Sequence, residues 1–254
     1  MITNILLKIS RFFFTIVGRH NSFALLNLLI RSSVTFLPPA DALRQIFQLE
    51  KELYNLEGEL AVQYGNGIHT KHCHMNYHDF FIQNIRPTEK VVDLGCGIGA
   101  VAFSIAEKNG CFVTGVDLSL ENIDKANEKF QHPNVTYLHG DVLDVLPDDR
   151  YDVVVLSNVL EHLVDRPQFL RKIVQTVKPR RFLIRVPLFE RDWRVPLMKE
   201  LAVDWRLDPT HEIEYTQEDF EQEMFSADLT ILHSEVHWGE IWAVVLPLDS
   251  VDRA

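Results

Sequence analysis

Cysteine is scarce in this chain: three residues in 254, Cys73, Cys96 and Cys111, with no Cys-x-x-Cys pair among them. An odd, scattered set offers no disulfide framework and reads as reduced thiols in a cytoplasm. Long apolar runs are missing as well. No stretch reaches 18 uncharged apolar residues, so a membrane-crossing helix is not expected. The N-terminal apolar runs are broken by charges and no small-residue cleavage site follows, which is not the layout of a signal peptide. No internal repeat or low-complexity tract is present. Positive charge is in deficit: 25 Lys and Arg against 36 Asp and Glu leave a net −11. Such a surface repels phosphates, so nucleic acid is not an expected partner. The deficit is uneven, because residues 1–40 carry Lys8, Arg11, Arg19 and Arg31 with no Asp or Glu, and the remainder holds about −15.

What is present suits one large domain with a smaller appended segment. Residues 1–84 read as a mainly helical extension, with stretches at Ile5–Val17 and Phe23–Ser32 ended by Pro38-Pro39. A further helix is expected from an Asp41 cap to about Tyr54, and Gly58, Gly65 and Gly67 break the pattern after it. From Lys90 the text changes. Short apolar runs at 91–94, 112–116, 135–138, 152–156 and 181–186 read as strands, and amphipathic stretches between them read as helices. Thr216 and Asp219 open a helix as a capping box. Runs at 229–236 and 241–246 flank Gly239-Glu240 as a hairpin. The alternation predicts an α/β fold over residues 85–254: a doubly wound, Rossmann-like sheet, mostly parallel, closed by an antiparallel C-terminal hairpin strand.

A ligand in such a sheet sits at the carboxyl ends of the strands. Gly95, Gly97 and Gly99 lie directly after the first strand and before a helix, where backbone without Cβ lets a ligand approach. Asp117 ends the next strand, 18 residues after Gly99, and its carboxylate can accept ribose hydroxyls at roughly 1.5–3 kcal/mol each. A dinucleotide remains in play, since Ala100 at the third position of the longer glycine spacing is a tolerated variant. Asp93 decides between the classes: a carboxylate just before the loop repels a pyrophosphate and suits a ligand carrying an ammonium and a sulfonium.

Val91-Val92-Asp93-Leu94-Gly95-Cys96-Gly97-Ile98-Gly99 resembles the first signature of the class I S-adenosylmethionine-dependent methyltransferases. The resemblance runs over about residues 88–250 and is of the methyltransferase type 11, ubiquinone-biosynthesis O-methyltransferase-like kind. It implies a cofactor, S-adenosylmethionine, held by Asp93, Gly95, Cys96, Gly97, Gly99, Asp117 and Leu118. Gly140-Asp141-Val142 matches the adenine-binding segment through Asp141 and Val142. Ser157-Asn158-Val159-Leu160-Glu161-His162 matches the fourth-strand segment near the methyl group, with Ser157 on the cofactor. Each acid also has a plain structural reading: Asp93 as a helix cap, Asp117 as a turn residue, Asp141 as a loop start.

Methyl transfer is an in-line displacement, and a hydroxyl acceptor gains from a base that takes its proton. His162, at the mouth of the site, and His211, in the insertion after strand five, are the candidate catalytic residues. His69, Glu161, Trp193 and Arg194 are candidate substrate contacts. The Glu161-His162 pair resembles a subgroup in which a Glu three positions earlier helps bind a divalent metal; here that position is Asn158, and no metal ligand set is assigned. The run His69, His72, Cys73, His74 and His78 matches no regular zinc spacing. It reads instead as part of a lid over the cofactor. The expected acceptor is a small or lipid-linked molecule: a sugar, a glycoconjugate or a quinone-like compound. A non-catalytic cofactor-binding module and an NAD-dependent oxidoreductase are the competing classes. Residues 1–37 fit either a helical cap on the protein or an interfacial contact with anionic lipid, which would make a cytoplasmic enzyme membrane-peripheral.

Overall fold

Valines and leucines at consecutive positions of the short strands bury on both sides, because successive side chains of a strand point to opposite faces. Val92, Leu94, Val154, Leu156, Ile184 and Val186 join one buried cluster, while Val91, Val153, Val155 and Leu183 join the other. Both clusters are closed by helices. A computed structural model describes residues 18–146 and 150–248. Its strands are β1 Lys90–Leu94, β2 Phe112–Asp117, β3 Val135–His139, β4 Val153–Ser157, β5 Arg181–Pro187, β6 Leu229–His237 and β7 Glu240–Pro247.

These seven strands among the described residues form one sheet in the order β3-β2-β1-β4-β5-β7-β6. The first five are parallel, and β7 and β6 run antiparallel, with β7 against β5 and β6 at the edge. The connection reverses direction between β1 and β4, so the carboxyl ends of β1, β2 and β4 converge on one crevice. The mostly parallel, doubly wound sheet with a closing hairpin is the architecture expected from the alternating runs.

One face is covered by helices Arg166–Val177 and Gln217–Ser226, through Leu170, Ile173, Phe220 and Met224. The other is covered by Ala100–Asn109 and Tyr77–Gln83, where Phe80, Phe81, Ala102 and Ile105 pack on Val91 and Val153. The expected caps are in place. Ser119 accepts from the Asn122 N–H, and Thr216 and Asp219 make a reciprocal capping box.

By its contacts the chain divides into two units, residues Met1–Glu59 with Met198–Asp204, and Leu60–Leu197 with Trp205–Ala254. In the first unit, helix Arg19–Val34 precedes helix Pro39–Tyr64, which passes into the second. The latter helix ends ten residues beyond the expected Tyr54 and carries Gly58 inside it. A single interior Gly costs only about 1 kcal/mol against Ala, and the neighbouring Leu, Glu and Ala residues are strong helix formers. Within the same unit Arg44 Nε donates to Leu201 O at 3.0 Å. The stretch after β5, read as irregular, contains helix Arg194–Glu200, whose Pro196 sits in the first turn where a missing N–H is harmless. The predicted stretch Ile5–Val17 lies outside the described residues.

Candidate active site

The parallel strands deliver the glycine loop, Asp117, the Gly140-Asp141-Val142 turn and Ser157 to the same edge of the sheet. The loop is built on positive φ: 71° at Gly95, 53° at Gly97 and 85° at Gly99. A Cβ at Gly95 would stand 2.7 Å from Val159, and one at Gly99 2.5 Å from the Tyr137 hydroxyl, so these two glycines permit the packing. At Gly97 a Cβ would meet nothing within 4 Å; that glycine faces open space.

Asp117 clamps the loop. Its Oδ2 accepts from Gly97 N at 2.8 Å, and its Oδ1 accepts from Ser119 N at 2.8 Å and Asn122 Nδ2 at 3.2 Å. Leu118 beside it is 72% exposed. Asp141 caps the short helix Val142–Val145 by accepting from Leu143 N at 2.9 Å. Cys96 is buried, its thiol pushed well up by burial and by the charges of Asp93 and Asp117, which makes it a packing residue. Asp93 is 1% exposed, and its Oδ2 has no hydrogen-bond partner. Burial, then the neighbouring Asp117 charge, push its carboxyl up to about 7, against one opposing hydrogen bond from the Ala102 backbone. A buried acid with a spare oxygen, next to a loop open at Gly97, fits a ligand bringing a positive group.

A second constellation forms beyond β4. Asn158 holds φ 57°, which Asn tolerates, and turns the chain into the 3-10 turn Leu160–His162. The loop 208–215 returns over it, pinned by Glu212 N to Glu161 O at 2.7 Å. This places the His162 and His211 rings edge to face with centroids 4.7 Å apart. Glu161, His162 and His211 each present a ligand atom within 4.8 Å of the others. Both oxygens of the fully buried Glu161, and Oδ1 of Asn158, lack hydrogen-bond partners. Burial pushes Glu161 up to about 8, with Arg185 opposing and Glu240 and Glu214 adding to the rise. Burial and the proximity of His211 lower His162.

His211 is held from behind. Its Nδ1 lies 3.1 Å from Glu214 Oε1, and the Glu214 carboxylate also takes Leu207 N and the Arg191 guanidinium. Those partners hold Glu214 below the usual carboxylate range despite its burial. His162 Nδ1 meets Thr210 Oγ1 at 2.9 Å.

The sequence reading missed Glu214, although the spacing His211-x-x-Glu214 was visible. It also missed a network at the ends of β4 and β5. Buried Arg185 pairs with Glu240 through two bonds, reaches Ser157 Oγ at 3.1 Å and lies 3.8 Å from the Tyr77 ring centroid. The Tyr77 hydroxyl is 2.6 Å from His72 Nδ1, and burial beside Lys71 and Arg185 lowers His72 to about 4. A lone Arg inside an apolar strand was the available signal. The remaining candidates stand apart. His69 Nδ1 accepts from Lys71 N in a local turn, Trp193 is 73% exposed, and Arg194 turns back on Asp192 at 2.7 Å.

Comparison with known proteins agrees with this geometry. Residues 92–184 match a family model described as a methyltransferase domain. The chain is 29% identical over 135 residues to the 2-methyl-6-phytyl-1,4-hydroquinone methyltransferase of Synechocystis, covering 49% of this chain and 42% of that protein. It is 34% identical over 92 residues to the ubiquinone biosynthesis O-methyltransferase of Rickettsia akari, covering 35% and 36%. The chain thus spans less than half the length of these relatives. In fold it is similar to the magnesium protoporphyrin IX methyltransferase of Synechocystis, with TM-score 0.55 and 16% identity over 68% of this chain and 83% of that one; that structure has bound S-adenosylhomocysteine. With the glycine loop, Asp93 and Asp117 gathered at one sheet edge, residues 92–184 are similar to a methyltransferase domain, a family that implies S-adenosylmethionine as cofactor.

Proposed function

We propose that this chain transfers a methyl group to a hydroxyl, or secondarily an amine, of a small acceptor: a sugar, a glycoconjugate or a quinone-like compound. The carrying observation is His211 held at Nδ1 by Glu214 beside His162 and Glu161, downstream of the cofactor-side Ser157. S-adenosylmethionine, when bound, supplies a methyl on a sulfonium. Asp93 would face its positive charge, Asp117 would hold its ribose, and Leu118 and Asp141 would meet its base. Glu214 fixes the tautomer of His211 with the proton on Nδ1, so that Nε2 is free to take the acceptor proton as oxygen attacks. The quinol and ubiquinone substrates named for the two relatives are consistent with a hydroxyl acceptor.

Calorimetric titration with S-adenosylmethionine, S-adenosylhomocysteine and NAD tests the cofactor half. Both adenosyl ligands are expected to bind, NAD to give no heat, and Asp117→Ala to abolish binding. NAD binding alone would return the oxidoreductase reading, and cofactor binding without turnover on any hydroxyl or amine acceptor the non-catalytic module. Gly97→Ala gives a finer check: its φ of 53° costs about 1 kcal/mol for a side chain, so the variant folds. The added methyl enters the ligand space, and affinity for S-adenosylhomocysteine is expected to drop at least tenfold. Unchanged affinity would place the ligand elsewhere.

The unpartnered oxygens of Glu161 and Asn158 favour a second reading, in which Glu161, His162 and His211 hold a divalent cation. A metal there would polarise the acceptor oxygen. Titrating chelator-treated protein with Mn2+ separates the two. Binding lost in Glu161→Gln supports the metal; full turnover in chelator with no Mn2+ heat leaves His211 as the unaided base.

A further inference from the structure

The first unit presents a surface that the methyl-transfer chemistry does not use. Helix Arg19–Val34 and the turn after it leave Phe23 73%, Phe36 94%, Leu28 60% and Leu29 56% exposed, with Leu26 and Leu37 also outward. An exposed apolar set of this size on a single short helix marks an interaction surface. Its charge identifies the partner. Residues 1–40 carry four basic residues and no acid, whereas the rest of the chain holds about −15. Arg31 makes its side-chain bond to a neutral residue, Asn27, at 2.9 Å, so its charge is not cancelled there. Acid returns abruptly at Asp41, in the first turn of the next helix.

We propose that the Gly18–Leu37 segment lies in the interfacial layer of a bilayer containing anionic lipid. Sixteen helical residues span about 24 Å, and the hydrocarbon core is about 30 Å thick, so the helix suits the plane of the interface. Among the described residues no helix is long and apolar enough to cross a membrane. Aromatic side chains near both ends of the segment and basic residues with no acid are two features of membrane-surface helices, although here the apolar residues are spread around the helix and not gathered on one face. Pairing of this helix with its copy in a second chain is disfavoured, since it sets two basic segments against each other. The anionic source is lipid headgroups; the apolar exposure has no use with a free phosphate.

The test is sedimentation of the 254-residue chain with vesicles of phosphatidylcholine alone, or of phosphatidylcholine with one third phosphatidylglycerol. Binding to the anionic vesicles is expected to exceed that to neutral ones at least tenfold and to fall as salt rises. Phe23→Ser with Phe36→Ser, at exposed positions that leave packing intact, and separately Arg31→Glu, are each expected to cut it tenfold or more. S-adenosylhomocysteine affinity, measured on the same samples, stays at the wild-type value and reports folding. Absence of sedimentation with both vesicles overturns the proposal, as does binding that ignores all three substitutions. A dimer in size-exclusion chromatography that Phe23→Ser with Phe36→Ser converts to monomer overturns it in favour of a second copy. None of these outcomes bears on the methyltransferase reading.

Discussion

Asp93→Asn is expected to raise the melting temperature of the cofactor-free protein at neutral pH while weakening cofactor binding by about 100-fold or more. The acid is buried with an unpartnered oxygen, and the fold keeps its proton to about pH 7, against 3.8 ordinarily. Between those values the folded chain holds a proton that the unfolded chain has released. Stability from this group is therefore full below about pH 4, falls as pH rises towards 7 and is level above. At about 1.4 kcal/mol per pH unit the ceiling is roughly 4 kcal/mol. Asn does not ionise, so its advantage should be near 2–4 kcal/mol at pH 7.5, or roughly 5–15 °C, and close to nothing at pH 4. Melting both proteins at the two pH values checks this; an equal gap at both would assign the effect to packing. In the proposed complex a ligand ammonium draws the proton off Asp93. Wild-type affinity then climbs between pH 6 and 8, while the Asn variant binds weakly and without that slope. The roughly 100-fold loss reflects a buried charge left without its partner.

His211→Gln is expected to lower kcat by about 10²- to 10⁴-fold with S-adenosylhomocysteine affinity unchanged, because it removes the proton acceptor and leaves the cofactor edge intact. Glu214→Gln is the more telling variant. Its amide can donate to Nδ1, which forces the proton onto Nε2 and blocks the acceptor-facing nitrogen; a loss in the same range is expected although no base has been removed. Glu214→Asp keeps the carboxylate and should recover part of the rate. Turnover on a hydroxyl acceptor, followed by release of S-adenosylhomocysteine, measures all three. Wild-type kcat in His211→Gln would remove the base from the mechanism, and a Glu214→Gln variant as active as wild type would reduce Glu214 to a brace for Arg191.

The cofactor half of the site was legible because its signals are local. Gly95, Gly97 and Gly99 fall within five residues of the end of a strand, Asp117 closes the next strand, and a parallel sheet brings strand ends to one edge without further information. The acceptor half was legible only by residue type. His162 and His211 were both candidates, yet nothing within 49 residues of sequence says that loop 208–215 folds back over the Leu160–His162 turn. That return rests on Glu212 N meeting Glu161 O and on Tyr215 beside Leu188, both long-range pairings. Trp193 and Arg194 stood out by composition, but Trp193 points to solvent and Arg194 is turned on its neighbour Asp192. Arg185 went unnoticed because its partner Glu240 lies on β7, 55 positions away. Pairings of that span are set by the order of strands, and the pattern along any one strand does not contain it.

The unit that contains the first helices also contains Met198–Asp204, joined there by the bond from Arg44 to Leu201 across 157 positions. On a ribosome those helices therefore emerge long before their last piece. At about 5–20 residues per second the wait is roughly 8–30 s, during which the whole glycine-loop region is made. That unit is thus completed only after most of the second has been made. Deleting the chain up to Glu59 would orphan seven residues in the middle of the remaining protein, so a shortened version has to be cut in two places.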